Sequence, residues 1–174
     1  IGKILNKLDD LGLRDDTIVV LMGDHGYILG EHGLWCKHST FDVATKTPLI
    51  IDAPGMPSNQ VVNGLVEFID IFPTLTELTN IPKPDQAVGM SLVDLLKDDS
   101  LPAKPAVFTR YHHAEAIRTD QYTFTQWIWK DGGLGPRMLY DNVNDPDETK
   151  NLSELEEYKD IVSDLSRQLT LYIK

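Results

Sequence analysis

The stretch Thr17-Ile18-Val19-Val20-Leu21-Met22-Gly23-Asp24-His25-Gly26 decides the fold. Its first six residues form a continuous β-branched and apolar run, the pattern of a fully buried strand of the parallel kind. Upstream, Ile1, Ile4, Leu5, Leu8 and Leu11 recur at helical spacing with Lys and Asp between them, and Gly12 stands where a C-terminal cap belongs. Helix, polar turn Arg14-Asp15-Asp16 and buried strand make the rhythm of an α/β fold. In open α/β sheets the ligand crevice lies beyond the carboxyl ends of the strands. Asp24 and His25 therefore stand where chemistry is expected.

Downstream, residues 27–47 are Gly-rich and without clear periodicity, the mark of a long functional loop. A second buried strand, Pro48-Leu49-Ile50-Ile51, ends at Ala53-Pro54-Gly55. Residues 66–78 read as a helix with Ile69, Phe72, Leu75 and Leu78 on one face, kinked or restarted at Pro73. Ser91 is placed to cap a short helix holding Leu92, Leu95 and Leu96. The polar, Pro-containing stretch 98–105 reads as a linker, which divides the chain into 1–97 and 98–174. Beyond it, three antiparallel strands are expected at 106–111, 116–130 (with a turn near Thr119-Asp120) and 138–141. Asp131-Gly132-Gly133 marks a hairpin-type loop. A last helix, 153–172, carries Ile161, Leu165, Leu169 and Tyr172 on one stripe.

The 174 residues are 41% hydrophobic and 25% charged, ordinary for a globular chain. No apolar run approaches the roughly 20 residues needed to span a bilayer, so no membrane partner is expected. The net charge of -11 argues against nucleic acid, since phosphates would be repelled over most of the surface. One cysteine, Cys36, excludes an internal disulfide framework. Ile1 already lies within a helical pattern, and neither an initiator Met nor a signal peptide precedes it, which reads as a piece of a longer protein.

Adjacent Asp24 and His25, leaving a strand, can both turn toward one divalent ion; a polar turn with an incidental His is the plainer alternative. His25, His32, Cys36 and His38 offer zinc-type donors, but their spacing matches no common zinc pattern. Lys37 and His38 could lower the pKa of Cys36, although a small loop residue beside Trp35 accounts for it more simply. Lys37, in a Gly-rich loop near a metal, suits an oxyanion as a compact point charge; alone, it reads as a solvated lysine. His112-His113 at a strand end are a pocket wall or exposed polar residues. The acidic run 145–157 reads as a solvated turn and helix start.

Taken in order, these segments resemble the sulfatase family within the alkaline-phosphatase-like superfamily, closest to iduronate-2-sulfatase-like enzymes. The resemblance rests on Gly23-Asp24-His25-Gly26, Gly30-Glu31-His32-Gly33-Leu34-Trp35-Cys36-Lys37 and Thr47-Pro48-Leu49-Ile50. It continues through Asp70-Ile71-Phe72-Pro73-Thr74-Leu75, Gly89-Met90-Ser91-Leu92, Ala116-Ile117-Arg118-Thr119 and Leu139-Tyr140-Asp141. It implies an incomplete alkaline-phosphatase-like α/β core piece, followed by a small antiparallel sheet with a C-terminal helix. It also implies that Asp24 and His25 ligate a divalent metal, calcium or a similar ion, and that Lys37 contacts the sulfate and its bridging oxygen. Tyr27 falls where related enzymes line the pocket mouth. The implied nucleophile is a formylglycine made from Cys or Ser, and the implied substrate is a sulfated small molecule or carbohydrate. A periplasmic or secreted location accompanies the family.

The departures matter as much. The formylglycine motif, Cys or Ser followed by x-Pro-x-Arg, is absent: Lys37, His38, Ser39 and Thr40 follow Cys36. The early Asp-Asp metal pair and the mid-chain His and Lys are absent too. The chain alone is therefore expected to hydrolyse no sulfate ester. It is also expected to expose apolar surface around residues 17–22, open to self-association. A phosphodiesterase or phosphonate monoester hydrolase of the same superfamily is the nearest rival reading, and a non-catalytic structural module the other.

Overall fold

The computed structural model describes residues 1–173. Along the chain run α1 (Gly2–Asp10), β1 (Val19–Met22), β2 (Ile28–Leu29), β3 (Trp35–Cys36), α2 (Asp42–Thr45) and β4 (Leu49–Asp52). Then come α3 (Ile71–Leu78), α4 (Val93–Lys97), β5 (Val107–Tyr111), β6 (Ala114–Arg118), β7 (Tyr122–Ile128), β8 (Leu134–Asp141) and α5 (Lys159–Ile173). Contacts group these into two units. One holds residues 1–23, 48–64 and 68–102; the other holds 24–47, 65–67 and 103–173. The loop at 24–47, assigned by chain order to the first segment, thus groups with the C-terminal sheet.

In the first unit, α1 ends as its sequence dictates. Gly12 takes φ 65°, a left-handed conformation cheap only for glycine, and its N–H donates to the Asp9 carbonyl. β1 lies beside β4, with Val19 opposite Asp52 and Met22 opposite Leu49. The pair is antiparallel, which corrects the expectation of a parallel, fully buried strand. Leu21 and Met22 are 37% and 43% exposed. The apolar run encodes a demand for cover, and it does not encode the direction of the neighbour. The Leu21-Met22 end of the strand is therefore partly open rather than fully buried. Arg14 pairs with Asp52 at 2.9 Å across the base of the two strands.

The helix expected over 66–78 is split. A 3-10 turn at Phe68–Asp70 precedes α3, and Pro73 sits in the first turn of α3, where its missing N–H costs nothing. Buried polar groups stitch the following segment to α3. Asp70 Oδ1 accepts from the Met90 N–H at 2.8 Å, and Thr74 Oγ1 accepts from the Leu92 N–H at 2.9 Å. The Ser91 hydroxyl accepts from the Val93 N–H at 3.3 Å at the start of α4.

The second unit is built on an antiparallel meander in the order β5-β6-β7-β8. Register places Phe108, Ile117, Phe124 and Leu139 in one row across all four strands. Ile117, Phe124 and Leu139 are wholly buried, packed with Leu152, Val162, Leu165 and Leu169. The stripe of α5 therefore docks on this face, and Phe108 stacks on Tyr172 with ring centres 3.6 Å apart. Four strands stand where three were expected, because Thr119 and Asp120 turn the chain back and break the long middle run. Near the far end of β7 a bulge interrupts the ladder between Gln126 and Ile128. The Gln126 amide there donates to the carbonyls of Trp127, Gly135 and Pro136.

α5 begins at Lys159, six residues later than the expected start. Leu152 and Ser153 are buried, and their backbone is committed elsewhere: the Leu152 N–H donates to the Leu139 carbonyl, and the Ser153 N–H to Asn151 Oδ1. That bonding competes with helix formation.

Candidate functional site

All four residues singled out for chemistry, Asp24, His25, Tyr27 and Lys37, lie in the second unit. The alternate face of the sheet explains how their loop is held. Strand residues flanking the core row point away from α5, and Arg118, Thr125 and Tyr140 are three of them. Thr40 Oγ1 lies 3.0 Å from Thr125 Oγ1, both buried. Arg118 forms a close ion pair with Asp42. The Phe41 ring meets Tyr140 at 5.7 Å. Residues 40–42 and the short helix α2 are thereby fixed on the sheet.

α2 in turn carries the Asp24-His25-Gly26 turn. The Gly26 N–H donates to the Ala44 carbonyl at 2.8 Å, and a Cβ built on Gly26 would stand 2.1 Å from the Val43 carbonyl oxygen. Only glycine fits that approach. His25 Nδ1 lies 2.6 Å from the Gly26 carbonyl, an acceptor, so Nδ1 donates there and the ring is held with Nε2 turned toward Asp24. Nε2 stands 3.2 Å from Asp24 Oδ2. The Asp24 side chain is 81% exposed and that of His25 28%.

Tyr27 continues the chain of contacts. Its ring lies 6.4 Å from the His25 ring, and its hydroxyl donates to Cys36 Sγ at 3.7 Å. That hydrogen bond, with the electrostatic effect of the neighbouring Cys36 sulfur, holds the phenol above its ordinary pKa. β2 and β3 form a two-residue antiparallel ladder, with Ile28 opposite Cys36, and Ile28 is wholly buried. Between them, the Leu29 N–H donates to Glu31 Oε2 at 2.6 Å, and backbone N–H groups hold the Glu31 carboxyl below its usual range. Lys37 follows directly. It is exposed and makes no ion pair among the described residues, and its carbonyl accepts from the Ser39 N–H at 2.9 Å.

The zinc-type set is dispersed. The His32 ring stacks on Phe41 at 3.7 Å, Cys36 faces Tyr27, and the His38 ring packs on Tyr111 at 5.5 Å. No group of three or more metal-binding side chains forms among the described residues. The donor types of Asp24 and His25 would suit a hard divalent ion as two of its roughly six or more ligands. A carboxylate oxygen and an imidazole nitrogen stand side by side, and the ring orientation is fixed from behind by a carbonyl, the usual support of a ligating histidine. His112 and His113 form the β5–β6 turn. His112 stands edge-on to Tyr111 at 4.5 Å, and His113 edge-on to Trp129 at 5.6 Å.

One residue escaped the sequence reading. The acidic run was expected to be solvated, yet Glu148 is only 2% exposed. Its Oε2 accepts from the Asp42 N–H at 2.7 Å. Burial pushes its carboxyl up to about 7, against the lowering effect of the Asp42 N–H and Arg118. Nothing in a run of acids marks which one turns inward.

With the geometry in place, relatives can be compared. The family described as N-sulphoglucosamine sulphohydrolase, C-terminal, matches residues 30–174. The chain belongs to that family. The match takes in Lys37 and the whole sheet, and begins just after the Asp24-His25 turn. A sulfatase from Formosa agariphila is 34% identical over 152 residues, covering 87% of this chain and 29% of its own length. A structure solved in complex with its substrate, D-glucosamine-2-N,6-O-disulfate, superposes with a TM-score of 0.89 over 98% of this chain and 37% of its own, at 24% identity. That likeness speaks for the fold alone. A phosphonate monoester hydrolase from Silicibacter pomeroyi superposes with a TM-score of 0.87 over 98% of this chain and 37% of its own, at 26% identity. The chain thus spans about a third of the length of these relatives. The sulfatase resemblance and the fold it implied, an alkaline-phosphatase-like α/β piece followed by a small antiparallel sheet with a C-terminal helix, are what the chain has.

Proposed function

We propose that this chain is the part of a sulfate ester hydrolase that supplies Asp24 and His25 to a divalent metal, calcium in our reading, and Lys37 to the sulfate. The observation that carries the reading is the juxtaposition of Asp24 Oδ2 and His25 Nε2 at 3.2 Å, with the ring held from its other side by the Nδ1 contact to Gly26. When bound, the ion would act as a Lewis acid on the sulfate oxygens. His25 and Asp24 would hold it, Lys37 would place a positive charge against the bridging oxygen as it gains negative charge, and Tyr27 would line the entrance. The nucleophile, formylglycine in this reading, and the remaining ligands come from residues other than these. The substrate class in this reading is a sulfated small molecule or carbohydrate, in keeping with the sulphohydrolase family whose C-terminal part matches. The closer kinship to iduronate-2-sulfatase-like enzymes, the division at residue 97 and a periplasmic or secreted location remain parts of this proposal. So does the inactivity of the isolated chain.

The test uses the full-length enzyme, with metal content and initial rates measured together. Asp24→Ala is expected to lower both. Lys37→Ala is expected to keep the metal and lose about a hundredfold in turnover, the usual effect of removing one electrostatic contact to a developing oxyanion. Full metal and full rate in Asp24→Ala, or full rate in Lys37→Ala, would return both residues to the surface. The phosphonate monoester hydrolase likeness supports a second reading. Parallel rates on an aryl sulfate and an aryl phosphonate monoester decide between them.

A further inference from the structure

The buried Glu148 has no part in the reading above, and it sits at a mechanical crossroads. Its carboxylate accepts from the N–H of Asp42, the first residue of α2. The same Asp42 is paired with Arg118 on β6, so both ends of this residue, backbone and side chain, are tied. From α2 two short paths lead to the candidate site. The Ala44 carbonyl receives the Gly26 N–H, and Gly26 follows the Asp24-His25 pair directly. In the other direction Thr40, tied to Thr125, is three residues from Lys37. Glu148 itself takes φ 52°, a left-handed conformation uncommon for a non-glycine residue and strained for one. A strained backbone and a buried carboxylate both weigh against the fold, so stability alone does not account for the residue.

We propose that Glu148 is a positioning residue: it fixes the α2 turn on which the Asp24-His25-Gly26 turn and the Lys37 segment both rest. This rests on the reading of Lys37 as the sulfate-contacting lysine. The path has no slack, since Gly26 abuts the Val43 carbonyl and leaves no room for a shift of α2 without a shift of residues 24–26.

The experiment is a double-mutant cycle in the full-length enzyme, with kcat, KM and Tm measured for Glu148→Asp, Glu148→Gln, Lys37→Ala and the two combinations. Aspartate withdraws the acceptor by one methylene. Glutamine keeps an oxygen that can accept from Asp42. Glu148→Asp is expected to lower kcat about tenfold with KM changed less than about twofold, and Glu148→Gln to stay within about threefold of the parent. In the Lys37→Ala background the Glu148→Asp change is expected to cost less than in the parent, because the part of its effect that acts through Lys37 has nothing left to act on while the part through the Asp24-His25 turn remains. Parental kcat in Glu148→Asp, the same loss in both backgrounds, or a collapse of Tm that accounts for the loss would overturn the inference. A Lys37→Ala enzyme as active as the parent would instead take down the functional reading, and the inference with it. A hundredfold loss in Lys37→Ala beside an unaffected Glu148→Asp sinks the inference alone.

Discussion

The two faces of the C-terminal sheet are held by different forces. On one, Ile117, Phe124 and Leu139 meet Leu152, Val162, Leu165 and Leu169, a dry apolar contact in which any side chain of similar shape can serve. On the other, Thr125, Arg118 and the buried Glu148 meet Thr40 and Asp42 through single directional bonds. Apolar contact is strong and indifferent to small rotations. Hydrogen bonds and ion pairs contribute less net stability, but they fix a loop at one register and one orientation. The first face makes the sheet stable, and the second spends some of that stability on placing a loop.

The comparison breaks first on the apolar side. Phe124→Ala removes the largest wholly buried side chain, and it should cost about 3–5 kcal/mol. Denaturant unfolding followed through Trp127 on the same strand and Trp129 just beyond its end measures it. A cost below about 1 kcal/mol would mean that the sheet does not depend on this face.

The polar side should instead show itself in pH. Glu148 binds its proton more tightly folded, at about 7, than an ordinary glutamate at 4.5. The folded state therefore holds more protons between these values, and stability falls as pH rises from about 4.5 to about 7, then levels off. The difference amounts to roughly 3 kcal/mol. Glu148→Gln should remove that slope, so that parent and variant differ near pH 7 and converge near pH 4. Parallel curves across the range would contradict the buried carboxylate.

Smallest is Thr125→Val, which keeps shape and deletes one hydroxyl. It should cost about 1–2 kcal/mol, because Thr40 is left with a buried, unpaired hydroxyl. Changing Thr40 to Val as well should recover part of that loss. No recovery in the double variant would show that the two hydroxyls are not partners.

The sequence revealed these faces unequally. Periodicity exposed the stripe of α5, because burying apolar area requires a repeat that matches the helix, and the continuous apolar run exposed the strand at residues 19–22. The apolar face expected for α3 is not the one it buries: Ile69 and Phe72 are exposed, while Pro73, Thr74 and Thr76 are buried. Gly12 and Asp131-Gly132-Gly133 were legible through their turn chemistry. The direction of β4 against β1 was not, since an apolar run is the same for either neighbour. The candidate site divided in the same way. Asp24, His25, Tyr27 and Lys37 were visible as a local motif, and the structure brings their segments into one unit. Arg118 and Glu148, 76 and 106 residues beyond Asp42, were not, because the partner of a buried carboxylate leaves no local trace.

Gly26 carries a consequence for anyone who randomises this loop. Its missing side chain is the space that the Val43 carbonyl occupies. A library over residues 24–27 should therefore return a single letter at position 26, even under a selection that asks only for a correctly folded product and never for turnover. Positions 24 and 27, whose side chains reach solvent, should drift freely under that same screen and narrow only when catalysis is demanded. Comparing the two enrichment profiles would separate the residues that this turn needs in order to exist from those it exists to present.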